Sequence, residues 1–327
     1  MIPLLLTLSL SGVDARAAQA DEPPVAPRAD AEAYATTATH ALRWKWGEPQ
    51  RFYVETEVHL PVPMWFTAVR NKEARVVAYL VRAVLDCDDA RPELKHSWEV
   101  VCDVEDVALS AVGLRPGVEP LQLVLDELDE RLSGAAMQLQ VHEDGRVLNI
   151  DIEGLDRPRR RVGLMNERLR LVMSRAIAGL DLQVPVTPVG VGSQWPQYRT
   201  WFMTAPSDRG TAGAAEVLHH VDDVFPDGRL LITTVGRGVI VPAGGNDKYD
   251  TELVSWSVFD PATGFLTERA WGAAGVATPS SPVSYALAEL PYDQRGRIRR
   301  LAPGEQVDVG ESLVIDLGVR RPTTLQR

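Results

Sequence analysis

Only two cysteines occur in the 327 residues of this chain. A disulfide-dense scaffold and a multi-thiolate metal centre are therefore excluded, and a single pairing remains, Cys87 with Cys102. Long apolar runs are missing too: no stretch approaches the roughly 20 residues that span a bilayer as a helix. Positive charge is in deficit, with a net charge of −11, which argues against nucleic acid or an anionic membrane as the main partner. The patterns G-x-S-x-G, S-x-x-K and H-E-x-x-H do not occur. The sequence thus predicts no catalytic residue, no metal site and no cofactor. What is present, 45% hydrophobic and 24% charged residues, is the balance of a soluble globular protein of one large or two ordinary domains.

The first residues, Met1 to Gly12, form a short apolar stretch without a basic lead-in, and Ala18-Gln19-Ala20 has the small-residue pattern of a cleavage site. Residues 1–20 read as a signal peptide, with Asp21 as the mature start and a periplasmic or secreted destination. The competing reading is a buried N-terminal strand or helix. No cysteine stands near the cleavage point, so lipid attachment there is excluded. Residues 21–38, rich in Pro, Ala and Asp, read as a flexible linker.

In an exported chain an even pair of cysteines reads as a disulfide. Bridging Cys87 to Cys102 pairs strands over residues 75–88 and 98–109, with Asp88 to Pro92 in the turn. Alternation places Val77, Tyr79, Val81, Ala83 and Leu85 on the Cys87 face with Trp98, Val100 and Val104. Arg82, Asp86, Asp88, Glu99, Asp103 and Glu105 fall on the other, wet face.

Before this hairpin, residues 42–60 alternate through Leu42, Trp44, Trp46, Phe52, Val54 and Val58. After it, Leu121, Val124, Leu125, Leu128 and Leu132 recur at helical spacing and predict a helix over 120–132. A hairpin over 137–152 turns at Glu143 to Gly145. A second amphipathic helix is predicted over about 160–180, through Met165, Leu169, Val172, Met173, Ala176 and Leu180. The second half is a meander. Strands over 214–224 and 229–240 meet at Phe225 to Gly228, and strands over 251–259 and 265–272 meet at Asp260 to Gly264. In the first strand of that second pair, Val254, Trp256 and Val258 are expected on a dry face and Ser255 and Ser257 on a wet one. A last strand is expected over 283–290, followed by a basic, irregular tail over 291–327. The fold class expected is α+β, a large curved antiparallel sheet (an incomplete barrel) packed on two amphipathic helices. One domain over 39–290 is predicted, with 39–184 and 185–290 as two loosely related halves.

Few residues suggest chemistry. His219 and His220 precede Asp222 and Asp223, but neighbours in a strand face opposite ways, so the two histidines cannot share one ion. Arg157, Arg159, Arg160 and Arg161 cluster before the second helix, where they suit an anionic headgroup, an acidic partner or plain solvation. Gly236-Arg-Gly238 and Ala243-Gly-Gly245 are expected in a loop between strands. The eight tryptophans suit an apolar ligand cavity, and equally an ordinary core. Trp256, Trp98, Tyr79 and Trp201 are the candidate ligand-binding residues.

The run Pro185-Val-Thr-Pro-Val-Gly-Val-Gly-Ser-Gln-Trp195 resembles a phrase, P-x-x-x-V-x-V-G-x-x-W, found in a group of secreted bacterial domains of unknown function. Leu42 to Gly47 and Phe259 to Leu266 are similar to the same group. More distantly, the pattern over 42–290 resembles the LolA-type periplasmic lipoprotein carriers, in which an incomplete antiparallel barrel wraps helices around an apolar cavity. That resemblance implies a lipid or acyl-chain ligand and transfers no catalytic residue. Three functions remain open. The first is a non-enzymatic periplasmic carrier of an apolar ligand or lipidated partner. The second is an envelope scaffold or accessory subunit that docks an envelope protein, and the third an unrecognised hydrolase.

Overall fold

The computed structural model describes residues 38–61, 76–93, 96–112, 129–152, 180, 182–200, 212–241, 248–278 and 292–310. The expected signal peptide and most of the linker lie outside these residues, as do the arginine cluster, Trp201 and the strand over 283–290. So does most of the two expected helices. Among the described residues, helical backbone is confined to 129–132 and Leu180, and no helix is long and apolar enough to cross a membrane.

Eleven strands form one antiparallel sheet that does not close into a barrel. They are β1 (Gln50–Pro61), β2 (Val76–Pro92), β3 (Ser97–Val112), β4 (Ala136–His142), β5 (Val147–Ile152), β6 (Gln194–Thr200), β7 (Ala212–Val224), β8 (Leu230–Val241), β9 (Lys248–Asp260), β10 (Phe265–Thr278) and β11 (Tyr292–Arg300). The spatial order is β5-β4-β3-β2-β1-β11-β10-β9-β8-β7-β6. The chain starts in the middle of the sheet, meanders to one edge, crosses to the other and meanders back. Strands β1 to β5 make one wing of this sheet and β6 to β11 the other.

Most hairpins fall where turn chemistry puts them. The β4–β5, β7–β8 and β9–β10 turns carry Gly145, Gly228 and Gly264 at positive φ, which glycine alone adopts freely. The β2–β3 hairpin carries the Cys87–Cys102 disulfide. Val81, Ala83, Leu85, Val100 and Val104 are buried on its face, as the alternation requires. Two expectations fail there. Asp88 to Pro92 belong to β2 and not to the turn, because irregularities at Val84/Leu85 and Asp86/Asp89 absorb the offset and let pairing continue to Pro92. The opposite face is not wet throughout either, since Arg82 and Val84 are buried there.

The cause is the segment after β11. Residues 301–310 lie across the outer face, where Leu301 and Val309 pack on Tyr53 and Val84. Beneath them Arg82 Nε donates to Glu55 Oε1 at 3.1 Å, both side chains almost fully buried. Burial raises the Glu55 carboxyl above its ordinary range despite the hydrogen bond from Arg82, and burial pushes Tyr53 up to about 12. β11 itself corrects the sequence reading, for residues expected in an irregular tail form a strand at the centre of the sheet.

The main core lies on the inner face. Trp44 and Trp46 stack at 4.8 Å and meet Phe259 and Phe265 edge-on, closing one end of the sheet. Trp44 Nε1 donates to the Leu182 carbonyl at 3.0 Å, so the segment leading to β6 is tied to the segment leading to β1.

Candidate functional site

Strand alternation decides what faces inward, and the register shows where that face stops being apolar. On β6 to β10, Gln197, His219, Thr234, Ser255 and Arg269 are all buried. His219, Thr234 and Ser255 are partners on one rung. The His219 ring joins Thr234 Oγ1 at 2.8 Å through Nδ1 and Gln197 Oε1 at 2.7 Å through Nε2. A carbonyl oxygen only accepts, so Nε2 carries the hydrogen, and Nδ1 of the neutral ring accepts from the threonine hydroxyl. The backbone N–H of Gln183 also donates to Gln197 Oε1, at 3.3 Å, and Trp195 stacks on His219 at 5.1 Å. On β10, Arg269 donates to Ser255 Oγ at 3.3 Å.

This polar rung divides the inner face. On one side is the large core described above. On the other, Ala215, Val217 and Leu253 form a separate apolar cluster. A β-carbon at Gly236 would fall within 3.0 Å of Val217, so the absence of a side chain there makes room for that cluster. Both nitrogens of His219 are engaged and its ring is buried, an arrangement that ties β6, β7 and β8 together. Ser255 lies against Arg269, not against His219.

The outer face of the same strands differs from the rest of the surface. Pro196, Leu218, Val235 and Val254 are register partners on one outward rung across β6 to β9. The next rung reads Tyr198, Glu216, Arg237 and Glu252. Tyr198 is 76% exposed, Val235 53% and Leu218 39%. All of these residues except Tyr198 line an open depression of about 630 Å³.

Of the four ligand-binding candidates, Trp201 lies outside the described residues, and Trp98 and Trp256 stand on different wings of the sheet. Trp98 packs on the main core from β3, and its ring would lie 3.5 Å from a β-carbon at Gly47. Trp256 stands half-buried on the outer face of β9, while Ser255 and Ser257 are buried on the inner one. Of the residues expected on the dry face Val258 is buried and Val254 and Trp256 are half-buried, while the serines expected on the wet face are buried, Ser255 in the polar rung. Tyr79 lies in β2, paired with Val58 and Ala111. Trp44, Trp46, Trp195 and Trp271 serve the core. As strand alternation requires, His219 points in, and His220 pairs with Asp222 on the outside. Gly236 and Gly238 belong to β8, not to a loop. The polar rung escaped the sequence reading because its members lie far apart in the chain and are single polar positions in apolar strands. Only the register brings them together.

No family model matches the sequence, and no curated protein matches it. Among solved structures, one of lipovitellin, described by its lipid–protein interactions, is similar with a TM-score of 0.42 and 8% identity, over 79% of this chain and 25% of its own. The chain thus spans about a quarter of that protein, and a likeness of this extent specifies neither fold nor ligand.

Proposed function

We propose that this chain is a non-enzymatic periplasmic binding or carrier protein for an apolar ligand or lipidated partner, related in architecture to the LolA-type carriers. The observation that carries the reading is the division of the inner face. Ala215, Val217 and Leu253 form an apolar lining kept apart from the packed core by the rung of His219, Thr234 and Ser255. Three small or medium side chains are too few to make a core of their own. They are buried, and their size and polarity suit the side of an acyl chain, with the polar rung setting its depth. The unclosed eleven-stranded sheet is compatible with the same reading.

The test is titration of the purified protein with a fluorescent fatty acid, before and after Leu253→Ala. Saturable binding weakened about tenfold by the substitution is expected, equivalent to about 1.4 kcal/mol. No binding by the parent protein would remove the carrier reading. Native mass spectrometry of protein taken from its own envelope separates the alternatives: co-purifying lipid favours the carrier, and a bound protein favours the envelope scaffold or accessory subunit. Export predicts a mature N-terminus at Asp21, and protein in the cytosol with Met1 or Ile2 intact would defeat it.

A further inference from the structure

We infer that the outer face of β6 to β9 is the surface on which a second copy of this chain docks. Outward rungs of a solvated antiparallel sheet are normally polar. Here Pro196, Leu218, Val235 and Val254 make one uninterrupted apolar rung across four strands, with Val235 53% exposed. Contiguous exposed apolar surface of this kind marks an interaction site. Tyr198, at the end of the adjoining rung, is 76% exposed and of the residue type enriched in interface centres.

The neighbouring charges select the occupant. Glu216, Arg237 and Glu252 lie side by side on one rung, and Arg237 reaches Glu252 at 3.5 Å while remaining mostly exposed. A row with a cation between two anions is complementary to itself: a two-fold axis parallel to the strands and midway between β7 and β8, about 2.4 Å from Arg237, sets each Arg237 against Glu216 of the other copy. Shape repeats the relationship. The same operation brings Tyr198, on β6, over β9 of the other copy, where Glu252 and Val254 line the depression of about 630 Å³. An anionic bilayer is a poorer occupant, because two carboxylates border the patch and an anionic surface offers them no cation, whereas a second copy offers Arg237. Docking is face to face and not strand to edge. Pro196 has no N–H to offer a new strand, and proline on an edge strand blocks edge pairing.

Sedimentation of the full chain over a concentration series tests this. A reversible monomer–dimer equilibrium is expected, weakened at least about tenfold by Tyr198→Ala and by Val235→Glu. Unfolding midpoints of both variants should match the parent, because both side chains are exposed. Arg237→Glu should also dissociate the dimer, and combining it with Glu216→Arg and Glu252→Arg should restore it. A parent protein monomeric up to about 100 µM would overturn the proposal, since a weaker dimer is beyond physiological mass action. A dimer indifferent to Val235→Glu overturns it equally, as does a monomer that binds phosphatidylcholine vesicles through Val235. Fatty-acid binding on the inner face is a separate readout and should be unchanged in Val235→Glu.

Discussion

The indole of Trp271 occupies the space over Gly296 on the neighbouring strand. The two are register partners in β10 and β11, and a β-carbon at Gly296 would lie within 3.0 Å of three ring atoms. A strand carrying Arg295, Arg297, Arg299 and Arg300 is thus held mid-sheet by an aromatic ring resting where no side chain fits. Gly296→Ala should destabilise by about 2–4 kcal/mol, as overpacking against a buried ring does. The measurement is the urea midpoint at constant m-value. An unchanged midpoint would refute the pairing of β10 with β11.

The tryptophans separate by face. Trp271 is buried in the inner core, so Trp271→Ala should cost about 3–5 kcal/mol. Trp256 is half-buried on the outer face, and Trp256→Ala should cost about 1–2 kcal/mol. Equal losses in chemical unfolding would contradict the assignment of faces.

What was legible in the sequence is what neighbours in the chain decide. Gly145, Gly228 and Gly264 mark their own turns, and alternation around Cys87 and Cys102 marks its own dry face. β11 was hidden because its partners are remote. Arg295 donates to Glu57, Arg297 pairs with Glu268, and Arg299 reaches Glu305 at 2.6 Å. Alone, Arg-Gly-Arg-Ile-Arg-Arg reads as a solvated tail; beside acids on β1, on β10 and after β11 it is a ladder. The faces of β9 were misread for a related reason. Trp256 and Val254 look like core residues until Ser255 is seen between Thr234 and Arg269.

Asp144 offers a test by pH. Burial alone would raise its carboxyl, but hydrogen bonds from the Arg146 side chain and backbone, and from His142, hold it below the ordinary range. Gln183 Nε2 donates to it as well, at 2.9 Å, linking the β4–β5 turn to the segment before β6. A carboxyl depressed in the folded state contributes stability above the unfolded pKa of about 3.9 and loses it as pH falls through the folded value. Asp144→Asn should therefore cost about 1–3 kcal/mol at neutral pH and progressively less below about pH 4. A difference that stays constant from neutral pH to about pH 3 would deny the ionised state its role.

Glu55 and Arg82 form a pair whose members depend on each other. Replacing one leaves a buried charge, so Glu55→Leu alone should cost about 3–5 kcal/mol. Adding Arg82→Met removes the orphan, and the double variant should return to within about 1 kcal/mol of the parent. Simple additivity of the two losses in a double-mutant cycle would mean that the pair is not coupled beneath residues 301–310.

The order of strands also governs when the protein can become itself. Glu57 and Arg295, joined across the seam between β1 and β11, are 238 residues apart in the chain. A ribosome delivers β1 long before its partner exists, and until then β1 offers a bare strand edge to whatever passes. The entropy lost in closing so long a loop grows only as its logarithm, so the finished seam is not weak, but its formation is late and slow. Conditions that hold the chain unpaired until β11 has been made should raise the yield of native protein. A truncation that omits β11 should aggregate rather than fold to a smaller sheet.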